Sequence, residues 1–145
     1  MKLPEYISKA EVKRVCQELG IRDWSTLKDI NVTTKETAAI LKVVNVKKMP
    51  VPTEVFKQGL EVELEHGIRF EDANVTNNHP VLTGKIVLAH LKETMDYYER
   101  LEVAEIEGDL LKAIVAKNFK KVEEKYKKLV KAESLLNKAI AAQLK

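Results

Sequence analysis

From Leu110 to Gln143 the apolar residues recur at the helical period. Leu111, Val115, Phe119, Val122, Tyr126, Leu129, Leu136 and Ile140 are separated by steps of three, four or seven. One side of a helix collects all of them, and no strand could. At about 1.5 Å per residue such a helix spans roughly 50 Å. Glu123–Lys127 and Glu124–Lys128 add pairs in the favourable i,i+4 order. A segment of this kind commits the chain to helical packing. It either folds back over the other helices or needs a partner helix from another subunit or protein.

The rest of the chain carries helix punctuation of the same kind. Ser8 with Glu11 forms a capping box for a helix through Leu19, and Gly20 follows as a stop. Asp23-Trp24-Ser25 reads as a turn. Thr33 with Glu36 is a second capping box, opening a helix with Ala38, Ala39, Leu41 and Val44 inward. Pro50 and Pro52 force an extended connector. Thr53 is expected to cap the next helix, which runs from Glu54 to His66 and stops at Gly67. Pro80 suits the first turn of a further helix reaching Glu107. Gly108-Asp109 reads as the break before the last one. The fold expected is all-α: a small helical bundle over residues 1–108, followed by a long amphipathic C-terminal helix over 109–145.

Composition narrows the functional classes. The 145 residues are 45% apolar and 32% charged, as a folded water-soluble domain requires. A net charge of +3 is too small to argue for nucleic acid as the partner, and the lysines of 112–131 read as a solvated helix face rather than a binding patch. The one cysteine, Cys16, sits beside Val15 and Leu19 and reads as a small buried hydrophobe. No run approaches the roughly 20 apolar residues of a membrane span, and the N-terminus has no signal-peptide core. A cytoplasmic chain is therefore expected. No phosphate loop, zincin helix or nucleophile elbow occurs.

The residues with chemical content are two His/Glu couples. Glu63 and His66 are spaced i,i+3, as are His90 and Glu93. At about 100° per residue, Glu63 falls inside the arc that holds Val55, Phe56 and Val62. A carboxylate there must be paired or bound to a cation. Two imidazoles and two carboxylates on neighbouring helices form a reasonable shell for Zn, Fe or Mn, and Glu-x-x-His is half of the di-iron carboxylate pattern. Tyr97 and Asp96 are placed to support such a shell. In the competing reading His66 donates to Glu93 and His90 to Glu63, as buried polar pairs that fix helix register. His79, before Pro80, reads as a capping residue. No organic cofactor is expected.

The stretches GLEVELEHG (59–67), NVTNNHPVLTGKIVLAHLKETMDYYERL (74–101) and, more loosely, SKAEVKRVCQELGIRDWS (8–25) resemble a family of small uncharacterised proteins of bacteria, phages and some large DNA viruses. The resemblance implies that the His/Glu block is the centre of the domain. Positions Asn74, Thr76 and Thr83 belong to the recurring pattern with Glu63, His66, His90 and Glu93. The chain departs from it by added sequence between Trp24 and Glu54, by Thr94-Met95 before Asp96, and by the C-terminal helix. A viral or phage source would place the chain in host cytoplasm or virion. Two functions are thus expected: a metal-binding helical protein, or a non-enzymatic structural protein that docks on a partner, or on itself, through helix 110–143.

Overall fold

A computed structural model describes residues 6–144. They form six α-helices and two short 3-10 turns, with no strand among the described residues. The helices are α1 (Lys9–Leu19), α2 (Thr34–Val44), α3 (Thr53–Arg69), α4 (Pro80–Glu93), α5 (Tyr97–Val115) and α6 (Phe119–Gln143). The all-α expectation holds. No helix among the described residues is long and apolar enough to cross a membrane. The chain divides into two compact units, Met1–Lys92 and Glu93–Lys145.

In the first unit the caps of α1 and α2 sit where the sequence puts them, whereas Thr53 is the first residue of α3, which has no side-chain cap. Ser8 Oγ accepts from Glu11 N at 3.2 Å, and Gly20 ends α1 in the left-handed region with φ 64°. Thr33 and Glu36 form the reciprocal capping box of α2. Trp24 starts a 3-10 turn capped by Asp23. Its ring is wholly buried, as are Val12, Ile40, Phe56 and Leu60. Cys16 is buried, and its sulfur accepts from Trp24 N at 3.4 Å. The thiol is pushed up, chiefly by burial.

α2 departs from its expected inward face. Ala38 is exposed, while Glu36, Thr37, Ile40 and Val44 are buried. The reason is Glu36, which does two jobs. It closes the capping box, and it accepts from Arg22 Nε at 3.0 Å, Arg22 Nη2 at 2.8 Å and Trp24 Nε1 at 3.2 Å. Burial alone would raise its carboxyl. The bonds from Arg22, Thr33 and Trp24 outweigh that and hold it at about 2.

α3 runs through Gly67 to Arg69 instead of stopping at Gly67. This glycine serves close approach, not termination. A Cβ there would lie 1.9 Å from Asn78 Oδ1 and 2.9 Å from Asn74 Nδ2. The loop lies directly on the helix at that point: Asn74 Nδ2 donates to Gly67 O at 3.0 Å and to Asn78 Oδ1 at 2.9 Å. Asn77 Nδ2 reaches the N-terminal segment, donating to Ile7 O at 2.6 Å. Gly84 plays a similar part in α4, where a Cβ would stand 2.6 Å from Ile40 Cγ2.

The second unit is a helical hairpin. The expected break at Gly108 is absent, and α5 continues to Val115. A glycine inside a helix costs about 1 kcal/mol relative to alanine. Packing on both sides of it covers that cost, since Ile106 is buried with Leu129 and Ala132, and Val103 and Leu110 pack against them. Asp109 does not cap a helix; it pairs with Lys125 of α6 at 2.5 Å. The chain reverses at residues 116–118. Lys117 takes φ 53°, and Asn118 caps α6 by accepting from Lys121 N at 3.1 Å. The expected single helix from 110 to 143 is therefore two, and α6 folds back on α5.

Candidate functional site

The face that α3 buries is narrow. Phe56, Gly59, Leu60 and Leu64 are inside, and Glu63 lies at the edge of that face with 17% of its side chain exposed. His66, one turn on, is 44% exposed. In α4 the buried residues are Pro80, Thr83, Gly84, Val87, Leu88 and Leu91, and His90 is again an edge residue, 28% exposed. The expected core placement of these groups is thus corrected to the rim. Leucines and glycines carry the close packing, and the polar groups border it.

At that rim three of the four expected ligands come together around Glu63. Its Oε1 stands 3.6 Å from His90 Nε2, and its Oε2 stands 4.0 Å from His66 Nδ1. The carboxylate thus addresses one imidazole with each oxygen. His90 and Glu63 approach each other as expected, at a distance longer than a hydrogen bond. Glu93 is the last residue of α4, one turn past His90, and is exposed. Among the described residues no three His, Cys, Asp or Glu side chains close into a metal-holding group. Glu63 meets two imidazoles without completing a shell.

Glu63 and His66 also line a cavity of about 220 Å³. Its other walls include Asn74 and Thr76 from the loop and Thr83 and Ile86 from α4. Thr76 Oγ1 donates to Asn74 Oδ1 at 3.2 Å, and Asn74 in turn is held on Gly67 O. The loop wall is therefore fixed to the helix that carries the acid and the imidazole. Asn74, Thr76 and Thr83 were legible only as recurring positions of the resemblance, since neither period nor charge marks them.

The remaining candidates have roles of their own. Asp96 is buried, and both its oxygens are engaged. Arg100 Nε donates to Oδ1 at 3.0 Å and Nη2 to Oδ2 at 2.8 Å, and Thr94 Oγ1 donates to Oδ1 as well. The Arg100 bonds, with help from Thr94 and against burial, hold its carboxyl at about 2. Tyr97 stacks edge-on against Tyr98, with ring centroids 5.2 Å apart. His79 is buried and caps α4, its Nδ1 accepting from Leu82 N at 3.4 Å, as expected of a capping residue. Burial pushes its imidazole down, towards the neutral form that can accept this bond.

A family described as "Protein of unknown function (DUF5661)" matches residues 12–107, more than half of the chain. The match takes in the Thr33–Glu36 capping box, the Glu63–His66 and His90 elements and most of α5, and α6 lies beyond it. No curated protein and no solved structure matches the chain.

Proposed function

The chain belongs to the DUF5661 family of proteins of unknown function, and on that premise we propose that Glu63, His66 and His90 bind a divalent transition metal, zinc, iron or manganese, on the wall of the cavity. The observation that carries this reading is the approach of both imidazoles to one carboxylate, at 3.6 and 4.0 Å. Ligands about 2.0–2.1 Å from a tetrahedral ion stand roughly 3.3–3.4 Å from one another. The Glu63–His90 edge is close to that span, and the exposed His66 ring needs only a side-chain rotation to join it. Imidazole and carboxylate suit these metals. Three protein ligands leave the next position facing the cavity, the arrangement associated with reactive rather than purely structural sites.

Elemental analysis of protein purified after metal-replete expression tests it. One metal ion per chain is expected in the wild type, with loss in His90→Ala. Metal-free wild type would end the proposal.

A second reading makes the chain a non-enzymatic component of a larger assembly, in the bacterial, phage or large-DNA-virus setting that its motif block suggests. It rests on the apolar side chains that the C-terminal hairpin leaves in solvent, among them Leu111, Val115, Phe119 and Tyr126. Such groups together on one element mark interaction surfaces. A chain whose hairpin is made polar and which still enters that assembly would refute it.

A further inference from the structure

α5 carries two apolar stripes, and α6 covers one of them. Val103, Ile106 and Leu110 face Leu129 and Ala132. Leu101, Ala104, Gly108, Leu111 and Val115 follow one another at steps of three, four, three and four. At about 100° per residue this second stripe is centred roughly opposite Ile106. The spacing is that of the a and d positions of a coiled coil. Leu111 is 63% exposed and Val115 75%, Ala104 and Gly108 are exposed, and a Cβ placed on Gly108 would touch nothing.

We infer that this stripe pairs with the same stripe of a second copy of the chain, the two α5 helices running antiparallel about a twofold axis. Shape within the stripe selects that partner. After Leu101 its small residues, Ala104 and Gly108, come first, and its large ones, Leu111 and Val115, follow toward the C-terminal end. An antiparallel copy sets Leu111 against Gly108 of the second copy and Val115 against Ala104 of the second copy, so each large side chain enters the space beside a small one. The twofold repeats both contacts, as an isologous interface must. Charge agrees with the same register. With Leu101, Gly108 and Val115 at a, Glu105 and Lys112 occupy e positions, which face each other in an antiparallel pair. Glu105 of each copy then meets Lys112 of the other, so the contact is made twice along that edge. A parallel pair would set Leu111 against Leu111 and leave Gly108 facing Gly108 across a gap. Two heptads are short for a free coiled coil, but each helix here is already held by α6, so pairing costs little further ordering.

This narrows the docking reading to one partner and is independent of the metal. Light scattering on the full chain across a range up to about 100 μM tests it. The mass of two chains is expected for the wild type and of one chain for Leu111→Glu, with both equally helical by circular dichroism. Glu105→Lys should weaken the dimer by roughly fivefold, the scale of exposed ion pairs, and Glu105→Lys with Lys112→Glu should recover it. A single-chain wild type, a Leu111→Glu dimer of unchanged affinity, or no recovery in the charge exchange would overturn the inference. These results concern the pure chain alone, so they are distinguishable from failure of the docking reading, which requires that the polar hairpin still enter a larger assembly.

Discussion

Glu63 Oε1 and His90 Nε2 stand 3.6 Å apart on two different helices. That is longer than a hydrogen bond between such atoms and close to the edge between two ligands of one small ion. The pair is brought together by packing that involves neither residue: Leu60 and Leu64 bury one helix, and Val87 and Leu91 the other. Glu63 is also the group shared by both imidazoles, which makes it the centre of the site.

Removing that centre should matter more than removing either flank. Glu63→Ala is expected to lower zinc affinity by 10–100-fold or more, the scale already seen for loss of outer-shell partners, and His66→Ala by less, because His66 is the most exposed and the furthest from Glu63. Competition against a chromophoric chelator reads both. Equal affinities in the wild type and Glu63→Ala would remove Glu63 from the site.

Glu36 should set the acid limit of the first unit. Its carboxyl is held at about 2 in the folded chain against an ordinary 4.5. A depressed carboxyl stabilises the fold at pH above its unfolded value, and that contribution is lost as pH falls from about 4.5 through about 2. Allowing for the exposed Arg22 partner, Glu36→Gln should cost about 2 kcal/mol near neutral pH. Urea unfolding at a series of pH values should show the wild type losing stability over that window and Glu36→Gln changing less.

Gly84→Ala tests the packing behind the cavity. Its new methyl would stand 2.6 Å from Ile40 Cγ2 and 3.3 Å from Val44 Cγ1. Overpacking of this kind costs about 1–3 kcal/mol, against about 1 kcal/mol gained in helix propensity. A net loss is expected in thermal unfolding, and Ile40→Ala in the same chain should be less damaging than the sum of the two single changes. Additive losses would mean that the two positions do not meet.

Asn118→Ala should loosen the hairpin. The side chain is the N-cap of α6, and such caps are worth about 1 kcal/mol. Hydrogen exchange should quicken first at Lys121 and Val122, whose amides are bonded to Asn118. Unchanged protection there would show that the turn does not depend on the cap.

Much of this architecture was readable in advance, and the misses share a cause. Ser8, Thr33, Gly20 and His79 act on residues within a few positions of themselves, so local chemistry announces them. Glu36 was read only as a capping group, because its other partners, Arg22 and Trp24, lie far back in the chain. Gly67 and Gly108 were read as helix stops. One makes room for a loop asparagine and the other is carried by packing on both sides, and neither reason is local. The real reversal, at Lys117-Asn118, lacks a glycine and so gave no signal. In the site, spacing alone identified Glu63, His66 and His90. The loop residues Asn74 and Thr76 are placed by the asparagine network that holds Gly67.

That network ties the loop after α3 both to that helix and to Ile7, just before α1. With no side chain at 67, Asn78 and Asn74 can rest on the backbone of α3, while Asn77 between them grips Ile7. A single added methyl at 67 would displace the Asn78 and Asn74 side chains from α3, and with Asn74 a part of the cavity wall. The seating of those two asparagines on α3 thus follows from one missing carbon atom.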